Sequence, residues 1–205
     1  YNEELRSVYM FVPGTIALIL ILVSAMMTSI SIAREKEMGT MEVLLVSPLK
    51  PAQIILGKVS PYIILSFVNA ALIIALSYFV FDMPVKGSLL LLFVYMMLYI
   101  ILSLSIGILI STLSNSQQSA MFISLMSLML PTMILSGFIF PIENMPLLLQ
   151  WLSDIIPARW FIIIIKNIML KGLGFQYIIT ETVILLLMIF FFIFLSIRKF
   201  NIYLD

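Results

Sequence analysis

The 205-residue chain contains no cysteine and no histidine, and charged residues make up only 10% of it. The absence of cysteine excludes disulfide bonds and thiolate metal sites. The absence of histidine removes the commonest metal ligand and the usual general base at neutral pH. Because the net charge is only +1 and the basic residues form no patch, the composition gives no indication of binding to nucleic acid.

Long apolar runs dominate what is present. Hydrophobic residues make up 63% of the chain, whereas soluble proteins contain roughly 45–50%. A helix crosses the bilayer core with about 20 consecutive apolar residues, and runs of this length cover residues 9–33, 63–81, 89–110, 120–138 and 177–197. A membrane barrel would instead show alternating segments of about 10 residues. We therefore predict an all-α fold, a polytopic transmembrane bundle that forms a single domain.

The segment 141–172 between the fourth and fifth runs is apolar but is interrupted by prolines. Its pieces are too short to cross a bilayer, and it contains Trp and basic residues of the kind that anchor helices at a membrane interface. We predict two interfacial or re-entrant helices on the external side. They either close the bundle as a lid or move as a gate. The candidate gate residues are Pro141, Met145, Pro146, Pro157 and Arg159.

The most highly charged run, REKEMGTMEVLLVSPLKP, occupies residues 34–51. Gly39 is expected to end the first helix, and Thr40 has the side chain of a good helix N-cap. A second, short helix should then cover residues 40–48, because the residue before Pro48 is disfavoured in a helix. The sequence thus predicts a two-turn helix at the membrane surface directly after the first span.

One face of this short helix is apolar, because Met41, Leu44 and Leu45 lie at positions i, i+3 and i+4. Periodicity alone leaves two interpretations open. The helix is either an ordinary interfacial elbow between two spans or a docking helix for a soluble partner.

The chain shows no means of driving transport by itself. The sequence LGKVS at residues 56–60 lacks both the first glycine and the final Ser or Thr of a phosphate-binding G-x-x-x-x-G-K-[ST] loop. Glu181 is the one acidic residue within a run, and its position one turn from the start of the fifth run suits snorkelling to the head groups. We expect no catalytic residues, no metal and no directly bound cofactor.

Three separated stretches carry a resemblance to a known family. The charged run and its continuation to Tyr62 resemble the cytoplasmic coupling region of the permease subunits of type-2 ABC exporters, in which R-E-x-E-x-G-T-x-E leads into the coupling helix. VPG at residues 12–14 resembles the start of that family's second span. SGFIFPIENMP at residues 136–146, with the PARW that follows, is similar to its external re-entrant helices. The resemblance implies that one further span and an external domain precede residue 1.

The resemblance also implies a function. The chain would be the membrane-spanning permease subunit of an ATP-driven exporter, forming the translocation path in the lipid bilayer. A separate cytosolic ABC ATPase, which carries ATP and Mg²⁺, would dock on the short helix, and a second permease copy would complete a homodimer. The implied residues for ATPase coupling are Arg34, Glu35, Glu37, Gly39, Thr40, Met41, Glu42, Leu44, Leu45 and Pro48.

The same likeness implies a location in the cell membrane, as in the bacterial inner membrane. It places residues 34–58 and the C-terminus in the cytoplasm and the start of the chain outside. Charge counting adds little to this orientation, because the Lys and Arg residues divide almost evenly between the two sides.

Small and polar residues within the runs allow two interpretations. Ser103, Gly107 and Ser111 recur every four residues in the third run, a spacing that lets helices approach closely. Ser66 and Asn69 in the second run could line a polar path, although such side chains also bond the carbonyl four residues earlier in their own helix. Helix packing and a translocation path both remain open for these five positions.

Two other functions are compatible with the residues. One is a non-transporting membrane scaffold or assembly protein whose short helix recruits a cytosolic partner. The other is an autonomous channel or an ion-coupled carrier. A neighbouring gene for a P-loop ATPase would favour the exporter, and substrate flux in ATP-free liposomes would favour the carrier.

Overall fold

A computed structural model describes residues 8–40, 51–80, 83 and 85–204 of the chain. These residues are predominantly helical and contain no strand. Five helices are long and apolar enough to cross a bilayer, and we call them the first to fifth spans: Phe11–Glu37, Leu56–Phe79, Leu89–Leu113, Gln117–Leu135 and Ile179–Lys199. The predicted all-α polytopic bundle is therefore confirmed, and each span overlaps one of the five apolar runs.

The helices that build these spans follow one another with short connections. The first span consists of α1 (Val8–Ile21), a π-helical turn (Leu22–Met26) and α2 (Met27–Glu37); the second lies in α3 (Pro51–Phe79) and the third is α4 (Leu89–Leu113). The fourth consists of α5 (Gln117–Ser124), a second π-helical turn (Leu125–Met129) and α6 (Leu130–Leu135). Between the fourth and fifth spans lie α7 (Leu147–Asp154) and α8 (Pro157–Met169), and the fifth span is within α9 (Ile179–Leu204).

Side-chain caps explain where several helices begin. The Ser88 hydroxyl accepts a hydrogen bond from the Leu91 N–H at the start of α4 (3.4 Å). Ser116 and Ser119 form a reciprocal capping box at the start of α5, each hydroxyl accepting from the other residue's backbone N–H. These contacts satisfy backbone donors that have no partner within the helix. They fix the tight turn between the third and fourth spans.

The third span lies at the centre of the bundle, where it contacts the first, second and fifth spans and α8. Its close approach to the first span depends on Gly107, which packs against Ala25 in the first π-helical turn. A Cβ placed on Gly107 would lie 2.9 Å from the Ala25 Cα, a separation shorter than atoms tolerate. The glycine therefore sets the distance between these two spans.

Buried hydroxyl groups link the spans further. Ser24 donates to Ser66 (2.8 Å), Ser29 is bonded to Ser124 (2.9 Å), Tyr95 is bonded to Thr182 (2.5 Å), and Ser196 donates to the Ser105 carbonyl (2.6 Å). These bonds join the first span to the second and fourth, and the third span to the fifth. Hydrogen bonds of this kind between membrane helices each contribute about 1 kcal/mol.

The two short helices after the fourth span occupy different environments. The axes of α7 and α8 differ by 83°. One face of α8 is inserted into the bundle, where the Phe161 ring stacks on the Tyr99 ring with their centroids 3.9 Å apart. In contrast, α7 exposes Leu147, Leu148 and Trp151. Of the two helices predicted as interfacial or re-entrant, α7 is thus the surface helix and α8 is the inserted one.

The bundle has two ends, which we name by what they carry. One end carries residues 34–40, Lys58 and residues 111–117, which contact one another. We call it the clip end, after the charged residues 35–37 that connect its helices. The cap end carries α7 and α8, together with the connection between the second and third spans, where the Lys86 N–H donates to the Met169 carbonyl (3.0 Å).

Gly107 provides a test of the packing. Gly107→Ala should lower the free energy of unfolding by about 1–3 kcal/mol, because the added methyl group overpacks the contact with Ala25. The matched control is Gly57→Ala in the second span, where no atom lies within 4 Å of the added Cβ; it should be neutral or stabilising by up to about 1 kcal/mol. Thermal unfolding of both variants in detergent measures the difference. Equal melting temperatures would contradict the close packing of the first and third spans.

Candidate functional site

The end of the first span is where the predicted coupling residues begin. The helix α2 continues through the charged residues to Glu37 and is followed by Gly39, which adopts a left-handed conformation (φ +69°). The Gly39 N–H donates to the Lys36 carbonyl (3.1 Å), a C-terminal turn that favours glycine. The Thr40 hydroxyl donates back to the Glu35 carboxylate, so the residue after the glycine is fastened to the end of the span.

Glu35 connects the first span to the second. Its Oε1 accepts a hydrogen bond from Lys58 Nζ at 2.6 Å, and both side chains are only about one quarter exposed, at 27% and 23%. A pair with this partial burial and with Thr40 as an additional donor is better fixed than a solvated surface pair. It holds the start of the second span beside the end of the first.

Lys36 connects the first span to the third. Its Nζ donates to the Ser111 carbonyl at 2.5 Å and to the Ser114 carbonyl at 3.4 Å. These oxygens belong to the last turn of α4 and its C-cap, where backbone carbonyls have no partner within the helix. A positive charge is also favoured at a helix C-terminus by the helix dipole. Lys36 therefore caps the third span.

Glu37 connects the first span to the fourth. Its Oε2 accepts hydrogen bonds from the Gln117 backbone N–H (2.9 Å) and from the Gln117 side-chain amide (3.2 Å). Gln117 is the first residue of α5, so the carboxylate lies at a helix N-terminus, where the dipole favours negative charge. Glu37 thus caps the fourth span.

We call Glu35, Lys36 and Glu37 the clip. Successive residues of a helix point about 100° apart, and for this reason three neighbours along the chain reach three different spans. The clip joins the turn at Gly39 to the second, third and fourth spans at once. A displacement of the chain beyond Gly39 would therefore act on three spans together.

Five predicted coupling residues lie outside the described residues: Met41, Glu42, Leu44, Leu45 and Pro48. Of the short helix predicted over residues 40–48, only Thr40 is described.

The sequence did not predict a role for two basic residues of the clip end. Lys36 and Lys58 are absent from the predicted set, although each connects the end of the first span to another span. A signal for Lys36 does exist: it continues the helical face of the buried residues Ser29, Ile32 and Ala33. A lysine at the end of a buried stripe points towards neighbouring helices. Arg34, which was predicted, is exposed.

The candidate path residues lie at helix contacts or bond to their own helix. Ser66 is fully buried and bonded to Ser24, and Gly107 packs on the first span. The other three donate to backbone carbonyls of the same helix: Asn69 to Leu65, Ser103 to Tyr99 and Ser111 to Ile108. Within this one chain, Ser66 and Gly107 therefore serve helix packing, and the other three side chains are bonded to their own helices.

At the cap end, Arg159 fastens α7 to α8. Its Nη1 forms an ion pair with Asp154 (2.7 Å) and donates to the Gln150 carbonyl (3.1 Å) and to the Ser153 hydroxyl. All three partners lie within the last five residues of α7, so the guanidinium caps the C-terminus of that helix. The guanidinium carbon also lies 5.2 Å from the centre of the Trp160 ring. The structure thus shows Arg159 as a clasp between the two helices.

The prolines of the cap end mark where its helices start. Pro157 is the first residue of α8 and is buried, while Pro146 and Pro141 precede α7 and the 3₁₀ turn Ile142–Asn144. Proline is well suited to these positions because its missing N–H has no partner there. Met145 follows the 3₁₀ turn and its carbonyl accepts from the Gln150 side chain (2.8 Å).

Among the described residues there is no group of three or more acidic, Cys or His side chains that could hold a metal ion. The contacts observed at the clip end are an ion pair and charged hydrogen bonds between helices.

Comparison with known proteins identifies the family. The family described as "ABC-2 family transporter protein" matches residues 1–198. The chain belongs to the ABC-2 transporter family. This confirms the resemblance that was found in the charged run and the cap-end stretch. No solved structure gives a significant match to this ABC-2 chain.

Relatives with assigned names are permeases and related transporters. The chain is 41% identical over 171 residues to "Probable multidrug ABC transporter permease YbhR" of Escherichia coli (strain K12), a match that covers 83% of this chain and 46% of that protein. It is 36% identical over 172 residues to the permease YbhS of the same organism, covering 84% and 46%. "ABC transporter G family member 20" of Dictyostelium discoideum is 26% identical over 202 residues, covering 98% and 28%. This ABC-2 chain thus spans less than half the length of these relatives.

The clip can be tested through Lys36. Lys36→Met should lower the free energy of unfolding by about 1–2 kcal/mol, because the last carbonyls of the third span lose a charged donor. Lys199→Met, which removes an exposed lysine from the fifth span, should leave stability within about 0.5 kcal/mol of the unsubstituted protein. Denaturant unfolding in mixed micelles provides the comparison. If both variants lose the same amount, Lys36 is not a cap.

The clasp can be tested through Arg159. Arg159→Gln should speed hydrogen exchange of the α7 amides roughly three- to tenfold, since α7 loses its ion pair and two charged hydrogen bonds. The amides of α8 should keep their protection, because its buried face still packs on the bundle. Arg198→Gln on the fifth span serves as the charge-matched control. Equal acceleration in α7 and α8 would show that Arg159 supports the whole cap end instead of joining its two helices.

Proposed function

We propose that this ABC-2 chain is the membrane-spanning permease part of an ATP-driven exporter. The observation that carries the proposal is the family match along residues 1–198, with relatives that are named ABC transporter permeases. Since the sequence contains no phosphate-binding loop, ATP and Mg²⁺ would be bound by a separate cytosolic ABC ATPase. The permease itself would carry out no catalysis.

The clip supports a route by which ATPase movements reach the spans. Residues 40–48 would dock on the ATPase through their apolar face, with Leu44 and Leu45 filling a groove on its surface. A displacement of that segment would act on Gly39 and then on the clip, which contacts the second, third and fourth spans. Glu42 and Pro48 would shape the docking segment, and Thr40 would fasten its start to Glu35.

This function sets an orientation. The clip end would face the cytoplasm, where the ATPase is, and the cap end would face outside. The fifth span runs from the cap end towards the clip end and finishes with the exposed Arg198 and Lys199, as expected for a cytoplasmic C-terminus. The N-terminal side of the first span would then lie outside.

A second permease copy would complete the translocation path. Within one chain, the small and polar residues of the spans are used in helix contacts or bonded to their own backbone. We therefore place the translocation path between two copies of the chain instead of inside one. A homodimer would form this path from a single gene product. The fourth span exposes a regular apolar stripe at four-residue spacing that is available for lipid or for the second copy: Phe122, Met126, Leu130 and Ile134.

The cap end would form the external gate of this path. Because α8 is held by its buried face and by the stacking of Phe161 on Tyr99, we infer that α8 stays with the bundle. The exposed α7 is attached through the Arg159 clasp and the turns beside it, which makes it the element that moves.

The docking role is tested by charging the predicted apolar face. Replacing Leu44 and Leu45 together with Asp should abolish co-purification of the ATPase while membrane insertion remains intact, because two charges cannot enter an apolar groove without losing their hydration. The control is Leu148→Asp on α7, an exposed leucine at the opposite end of the bundle, which should retain the ATPase.

Undiminished ATPase association in the double variant would contradict the docking role. Association of the unsubstituted protein with an ATPase, but without any nucleotide-dependent transport in proteoliposomes, would favour the alternative of a scaffold that recruits a cytosolic partner. Uphill transport without nucleotide would favour an autonomous carrier.

A further inference from the structure

A cavity of about 420 Å³ opens at the cap end, bounded by the end of the fourth span, the 3₁₀ turn, α7 and α8. One face of α8 forms a wall of this cavity with Arg159, Ile162, Ile163 and Lys166, which lie at positions i, i+3, i+4 and i+7. Residues at this spacing share one side of a helix. The opposite side, with Phe161 and Ile165, is buried in the bundle. This wall of the cavity therefore belongs to a helix whose opposite side is held in the bundle.

Two side chains of opposite charge line this cavity and have no counter-charge among the described residues. Lys166 is half-buried, and its ammonium has neither a hydrogen-bond acceptor nor an ion-pair partner among the described residues. Glu143, on the 3₁₀ turn, likewise makes no ion pair with any described residue. The third charged group of the walls, Arg159, is already paired with Asp154. Lys166 and Glu143 therefore face the same cavity without contacting each other.

The Lys166 ammonium is partly removed from water, which is costly unless it finds a counter-charge, whereas Glu143 is exposed and offers its carboxylate at the mouth of the cavity. A ligand that carries both signs would satisfy both walls: its anionic group would accept from Lys166, and its cationic group would donate to Glu143. The isoleucines between Arg159 and Lys166 would contact its carbon chain. The charges on the walls therefore favour a zwitterion over a simple anion.

The neighbouring surface indicates where this ligand comes from. On its outward side, α7 exposes Leu147, Leu148 and Trp151, at 71%, 68% and 71% of their full accessibility. A short helix with an apolar face and a tryptophan is typical of the boundary between head groups and acyl chains. Because Gln150 of the same helix lines the cavity, the cavity lies beside that boundary. The zwitterions present there are phospholipid head groups.

We propose that this cavity binds the head group of an aminophospholipid, with its phosphate on Lys166 and its primary amine on Glu143. The acyl chains would extend from the cavity over the apolar face of α7. This site is separate from the clip and does not depend on coupling to an ATPase, so its test is independent of the exporter proposal.

The experiment uses native mass spectrometry of the purified full-length protein, titrated with phosphatidylethanolamine or with phosphatidylglycerol of the same acyl chains. The unsubstituted protein should bind phosphatidylethanolamine more tightly. Lys166→Gln should weaken binding of both lipids by about tenfold, the effect of losing one charged hydrogen bond, and Lys166→Arg should restore it. Glu143→Gln should weaken only phosphatidylethanolamine and abolish the preference, because phosphatidylglycerol has no amine.

Lys199→Gln, which removes a lysine far from the cavity, is the control and should leave both affinities unchanged. The proposal is overturned if Lys166→Gln binds phosphatidylethanolamine as the unsubstituted protein does, or if Glu143→Gln keeps the preference. It is also overturned if soluble phosphoethanolamine displaces the lipid at equal concentration, since the site would then recognise a free zwitterion and not a membrane lipid.

Discussion

Three consecutive charged side chains at the end of the first span hold the arrangement of the bundle. Glu35, Lys36 and Glu37 bind the second, third and fourth spans respectively. Inside a bilayer the hydrophobic effect does not press helices together, so close packing and polar contacts must fix their relative positions. The clip provides such contacts where the helices leave the membrane, and it does so by placing each charge at the helix terminus or counter-charge that stabilises it.

The clip also connects the family assignment to a physical mechanism. The proposed function has the energy of ATP hydrolysis reach this ABC-2 chain from an ATPase, because its 205 residues contain no nucleotide-binding loop. The segment that would receive it follows Gly39, and the residues just before Gly39 are those that contact three spans. The Gly107–Ala25 contact then continues the connection into the membrane, because it holds the first span against the central third span. The cap end forms a second, distinct unit, in which α8 is inserted into the bundle and α7 is exposed.

Much of this architecture could be predicted from the sequence, because bilayer thickness imposes the length of each apolar run. The charged run also includes the three residues that form the clip. The contacts themselves could not be predicted: Lys36 bonds a carbonyl 75 positions further along the chain, a partner without any side-chain signature. The insertion of α8 was equally hidden, since Arg159, Trp160 and Lys166 suggest an interfacial helix while Phe161 and its apolar neighbours are buried in the bundle.

The most direct test of the central claim measures whether the clip transmits movement from the ATPase to the spans. Because the chain contains no cysteine, spin labels can be attached at Leu76→Cys and Ile134→Cys, two exposed positions in the second and fourth spans. Their separation is then measured with the ATPase bound, with and without ATP. The account predicts a nucleotide-dependent change that disappears when Lys36→Met and Glu37→Gln break the clip, although the ATPase remains bound. An unaltered nucleotide-dependent change in the clip-broken protein would contradict it.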